Sequence, residues 1–184
     1  MEIRERKIKG IFEIMPTPHK DERGYLSRLF DDEIFKKEGL NTKWVQESRS
    51  YTKKKYTVRG LHVALPPELE GKTITAIRGK VLWVVVDVRK NSKTFGQWDS
   101  MILSDELNNT LYVKPGFAHG CVSLSDNCDL LLRADTYYKH GTGIAWNDKE
   151  LNIDWKLNGA VPIISERDKN YKTFSEFKKK YGGV

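Results

Sequence analysis

Apolar residues recur along this chain in short β-branched and aromatic runs, each cut off by turn-forming residues. Residues 73–77 read TITAI and residues 81–89 read VLWVVVDVR, with a tight turn at Gly79 between them. Residues 110–113 (TLYV) and 121–125 (CVSLS) read as strands on either side of the turn KPGFAHG, while SMILS and DLLLRADTYY supply two more. Short strands at this spacing predict an antiparallel sandwich or barrel, in which alternate side chains line an interior cavity. Helical signals are few. In DDEIFKKEG, Asp31 or Asp32 caps the start, Lys36 and Lys37 lie near the end and Gly39 stops the helix. A second helix is expected from Thr173 to Tyr181, before the terminal GGV. No repeat, low-complexity tract or linker divides the chain, so one β-rich domain over residues 1–184 is expected.

Composition narrows the partners. The 184 residues are 39% hydrophobic and 31% charged, which is ordinary for a globular protein. The net charge of +7 favours anionic partners. Much of it is local, in Lys53–Lys55 and Lys178–Lys180, and such runs are usually solvated surface. No zinc-finger spacing, RNA-binding aromatic signature or basic heptad helix points to nucleic acid. The run VLWVVVDV is too short to span a bilayer, and the charged N-terminus resembles no signal peptide. Two cysteines, Cys121 and Cys128, are too few for a disulfide scaffold. A cytoplasmic protein is the expectation.

Of four histidines, His62 in VRGLHVALPP and His119 in KPGFAHG hold suggestive places. Histidine is the natural base near neutral pH, although either could equally be structural. A metal site is disfavoured, because no two histidines stand two residues apart and no local cluster supplies three ligands. No Gly-x-Ser-x-Gly turn, activated cysteine, phosphate loop or dinucleotide fingerprint is present.

The motifs at residues 21–30 (DERGYLSRLF), 44–50 (WVQESRS), 58–67 (VRGLHVALPP), 71–90, 92–98, 111–126, 136–148, 151–155 and 165–169 (SERDK) together resemble the dTDP-4-dehydrorhamnose 3,5-epimerase family. The resemblance implies an all-β, cupin-like sandwich or jelly roll, a homodimer, and neither metal nor cofactor. It implies an isomerase acting on a nucleotide-diphosphate 4-keto-6-deoxy sugar. Residue by residue, it makes His62 the general base, Asp168 the carboxylate that orients it, and Lys72 the cation near the keto oxygen. Arg23 and Arg59 would hold the diphosphate. Gln46, Glu47 and Ser48 would line the nucleotide, Tyr138 would stack on the base, and His119 would touch the sugar. Arg167 stands where the family often has lysine.

Departures from the family pattern make the picture more specific. Leu132 occupies the place of the usual proton-donating tyrosine, and leucine has no proton to give. Epimerisation at carbon 3, with carbon 5 in doubt, is the favoured expectation. Arg28 stands where glutamate is usual, and the glutamate expected after Tyr138 is missing, which opens guanine or cytosine as the base in place of thymine. Trp83 replaces an aspartate; facing inward it would reshape the sugar pocket, facing outward it would only pack. A cupin ketoisomerase and a non-catalytic nucleotide-sugar binder are the competing readings.

Overall fold

A computed structural model of the chain describes residues 1–139 and 141–184. His140 lies outside the described residues. The strands are Glu2–Glu5 (β1), Ile11–Met15 (β2), His19–Asp21 (β3), Gly24–Leu26 (β4), Gln46–Thr52 (β5), Thr57–Ala64 (β6), Lys72–Arg78 (β7), Lys80–Asp87 (β8), Trp98–Ser104 (β9), Thr110–Val113 (β10), Phe117–Ser123 (β11), Cys128–Ala134 (β12), Gly141–Gly143 (β13) and Ile163–Ile164 (β14). Three short helices join them: Asp32–Lys37 (α1), Glu166–Lys169 (α2) and Phe174–Tyr181 (α3).

One sheet runs β1-β2-β10-β7-β12-β5 and the other β13-β6-β11-β8-β9, with β14 beside β6. From β5 to β8, and again from β9 to β13, consecutive strands alternate between the sheets. That weaving makes a jelly roll rather than a stack of hairpins. The segments around Gly79 show it. They look like a hairpin in sequence, yet β7 pairs with β10 and β12 while β8 pairs with β11 and β9. Gly79 turns the chain from one sheet to the other with φ +75°, and a Cβ there would meet Ser125 Oγ at 2.7 Å.

Strand β8 has no polar alternation because both of its faces are covered. Val81, Trp83 and Val85 enter the core between the sheets. Leu82, Val84 and Val86 enter a second core, closed by Trp155 and by Phe174 and Phe177 of α3. The helix signals hold: Asp31 caps α1, Thr173 and Glu176 form a capping box on α3, and Gly182 ends α3 in the left-handed conformation.

Two sequence readings need correction. The segment FAHG is not part of a turn; it begins β11 and pairs with β6 and β8, leaving only residues 114–116 as the turn. The strand read through Tyr138 ends at Ala134. Beyond it the chain is tied to loops instead of a ladder. Asp135 accepts the Gly71 amide at 2.7 Å, and the Thr136 hydroxyl donates to the Leu69 carbonyl at 3.1 Å.

Candidate active site

His62 on β6 and His119 on β11 are directly opposed in an antiparallel ladder of one sheet. Lys72 opens β7 on the facing sheet. Between these walls lies a cavity of about 320 Å³ lined by all three residues together with Glu70, Tyr138, Arg167 and Tyr171, among others.

Asp168 stands behind His62. It is delivered by α2, a single turn that sequence periodicity could not reveal, whose N-cap Ser165 accepts the Asp168 amide. The Asp168 side chain is buried and lies 3.1 Å from His62 Nε2 through each oxygen. It also accepts the Gly60 amide at 2.9 Å and Arg167 Nε at 3.1 Å. Gly60 also lets β6 lie close against β11: its φ is +108°, and a Cβ there would strike the His119 carbonyl at 2.4 Å. Burial pushes the Asp168 carboxyl pKa up, but the Gly60 amide, His62 and Arg167 together outweigh it and hold the pKa below its ordinary value. For His62 the balance runs the other way. Burial lowers its pKa, Asp168 opposes the shift, and Arg167 and Lys72 add to it. An ionised carboxylate beside a neutral imidazole follows near pH 7. Arg167 also brings an N–H to 3.2 Å from Nε2, but two carboxylate oxygens at 3.1 Å, which only accept, outweigh it and place the proton on Nε2, which leaves Nδ1 as the basic nitrogen. Tyr171 packs edge-to-face on the imidazole, with 5.9 Å between ring centres.

Lys72 is ion-paired with Glu70 at 2.8 Å, and both side chains are mostly buried. The Glu-x-Lys spacing signals this pair, because residues two apart share one face of an extended chain; Glu70 was nevertheless missed, as was Tyr171. His119 is buried, and burial, reinforced by Lys72 and His62, holds its pKa well below the ordinary value. Trp83 faces inward: it is buried in the inter-sheet core with its Nε1 3.5 Å from His119 Nδ1. Leu132, opposite Ile74 on β7, packs against the inter-sheet core and does not line the cavity.

The other expected residues lie elsewhere. Arg23 bonds Asp21 at 2.5 Å in the exposed β3–β4 hairpin, and Arg28 pairs with Asp31 at 3.3 Å. Arg59 binds the Tyr51 carbonyl and the Thr52 hydroxyl. Glu47 pairs with Arg133 at 2.6 Å, and Ser48 is exposed on β5. None of these lines the cavity. Gln46 does reach its rim, where its Oε1 accepts the Tyr138 amide at 2.5 Å. Among the described residues no group of three or more His, Cys, Asp and Glu side chains is placed to hold a metal ion, and no helix is long and apolar enough to cross a membrane.

Known proteins resemble this chain in sequence and fold over nearly its whole length. A curated dTDP-4-dehydrorhamnose 3,5-epimerase from Methanothermobacter thermautotrophicus is 38% identical over 172 residues, 92% of each chain. The crystal structure of a dTDP-6-deoxy-D-glucose-3,5-epimerase from Legionella pneumophila, in complex with dTDP-4-keto-L-rhamnose, superposes with a TM-score of 0.89 at 32% identity, covering 95% of this chain and 93% of the other. A 3'-monoepimerase from Streptomyces bikiniensis, in complex with dTDP-quinovose, superposes with a TM-score of 0.88 at 28% identity, covering 97% and 90%. The model of the dTDP-4-dehydrorhamnose 3,5-epimerase family matches residues 5–176, and with a cupin-type jelly roll around a His-Asp pair this chain belongs to that family of isomerases.

Proposed function

We propose that this chain epimerises a nucleotide-diphosphate 4-keto-6-deoxy sugar, hexose or heptose, at carbon 3, as a cytoplasmic homodimer working without metal or cofactor and supplying sugars for capsule or lipopolysaccharide. The observation that carries the proposal is His62, backed by the buried Asp168 carboxylate and facing the Lys72 ammonium across one cavity.

A hydrogen beside a ketone is a weak acid, and its removal needs a base within hydrogen-bond reach and a cation or donor at the oxygen. His62 Nδ1 takes the proton. The C–H electron pair becomes the C3–C4 double bond, and the carbonyl pair moves onto an oxygen that Lys72 stabilises. Collapse of the enolate with a proton delivered to the other face inverts the carbon. Leu132, at the position of the usual donor, carries no proton and packs away from the cavity, so water supplies the proton on that face, and carbon 5 is left unchanged. Arg167 sits at the cavity to meet the diphosphate, with Tyr138 and Gln46 beside the nucleobase. Arg23, Arg28 and Arg59 add positive surface suited to phosphate. The exposed Tyr25 and Leu26 of β4 are apolar surface that a second copy would cover.

The test is to incubate the protein in heavy water with the dTDP-, GDP- and CDP-linked 4-keto-6-deoxy sugars and to follow each ring proton by NMR. Deuterium is expected at carbon 3, with the carbonyl remaining at carbon 4. No incorporation into any of the three contradicts the proposal, and a carbonyl that migrates to carbon 3 identifies a ketoisomerase instead.

A further inference from the structure

We propose that Trp83 is a positioning residue that holds His119 as the uncharged tautomer protonated at Nε2, so that His119 acts as a hydrogen-bond donor to the sugar's carbonyl oxygen. The donor role rests on the epimerase reading above; the tautomer claim does not.

Strands β8 and β11 are neighbours, and Trp83 lies opposite Cys121, two residues from His119. The two rings meet edge-to-face at 6.3 Å, and the indole nitrogen stands 3.5 Å from His119 Nδ1. An indole N–H only donates. A proton on Nδ1 would place two hydrogens face to face, so Nδ1 keeps its lone pair and the single proton of a neutral ring goes to Nε2. At 3.5 Å the bond is long, and its effect lies in excluding the other tautomer.

The surroundings disfavour a charged ring. Lys72 from β7 and His62 from β6 are the titratable groups acting on His119, both positive when protonated, and the Glu70 carboxylate is engaged by Lys72. Nε2 is buried and has no hydrogen-bond partner. A buried donor without a partner is unfavourable and rare in a finished structure. His119 lines the cavity while its Nε2 is covered from solvent, so the proposal requires that the bound sugar bring its carbonyl oxygen against this N–H as the acceptor it lacks. A neutral imidazole donating to a carbonyl oxygen stabilises the developing enolate without burying a second cation beside Lys72.

Nitrogen-15 NMR of the labelled protein decides the tautomer. In the wild type His119 is expected neutral and protonated at Nε2 throughout the neutral range. Trp83→Phe keeps an aromatic ring but removes the N–H; it is expected to give a tautomer mixture and to lower kcat for carbon-3 exchange roughly tenfold, with KM within twofold. Should that variant fold poorly, benzothienylalanine at position 83 removes the same N–H at nearly unchanged shape. A wild-type His119 protonated at Nδ1, or charged, overturns the proposal. So does a Trp83 variant with an unchanged tautomer, and so does one with a mixed tautomer but unchanged kcat. Absence of exchange by the wild type on every sugar tested overturns the epimerase reading instead, and the spectrum still decides the tautomer.

Discussion

His62 and His119 face one another across neighbouring strands of one sheet, yet their surroundings make them different reagents. His62 has a carboxylate behind it, a guanidinium beside it and a part-exposed ring, and its Nε2 is 3.1 Å from Asp168. His119 has an indole behind it, is buried, and has no acceptor for Nε2. A carboxylate stabilises the imidazolium that forms when a base has taken its proton; an indole N–H does not. The partner of the far nitrogen therefore decides which histidine can turn over as a base and which can only donate.

The comparison breaks most severely at its carboxylate. Asp168→Asn keeps the shape but removes the charge that fixes the His62 proton, so exchange at carbon 3 should fall by roughly 10²- to 10⁴-fold, the usual worth of a general base. If exchange kinetics change less than threefold, the dyad is not the base. Lys72→Met removes the cation opposite and should cost roughly 10²- to 10³-fold in kcat; a loss confined to KM would place Lys72 at the phosphates instead.

A smaller effect appears in the pH profile. His62 must be neutral to act, and its pKa is lowered chiefly by burial. The acid limb of kcat/KM should therefore fall below the ordinary histidine value of about 6.5. Arg167→Gln removes a nearby cation and should move that limb upward; a limb that moves down contradicts the assignment. The smallest effect is on stability. Both histidines have folded pKa values below their unfolded ones. As pH falls through about 6.5, the unfolded chain takes protons that the folded chain refuses, so stability is lost on that side and is fully present above it. His119→Gln should flatten this slope in urea melts between pH 7 and 5, and an unchanged slope would mean that His119 is not the buried neutral group.

Much of this was legible in the sequence. Turn-punctuated β-branched runs gave the class, the caps of α1 and α3 gave two helices, and His62, Lys72, His119, Tyr138 and Arg167 do line one cavity with Asp168 behind. What was illegible has physical causes. Strand β8 is buried on both faces, so its pattern cannot say which sheet it joins. The four residues of α2 are too few for any period to reveal them. Phe117 to Gly120 followed a Pro-Gly pair and read as turn, although their backbone is paired on both sides. The partner of His119 could not be read, because Trp83 meets it only through the register of β8 against β11.

The central claim, that the imidazole of His62 removes the hydrogen beside the ketone, is tested most directly by isotope wash-in with the accepted sugar nucleotide in heavy water, comparing wild type with His62→Asn. The account predicts rapid loss of the carbon-3 proton signal in the wild type and none above background in the variant, with nucleotide affinity by calorimetry unchanged within about threefold, since His62 contributes chemistry rather than grip. Exchange in the variant at a rate near that of the wild type would contradict it.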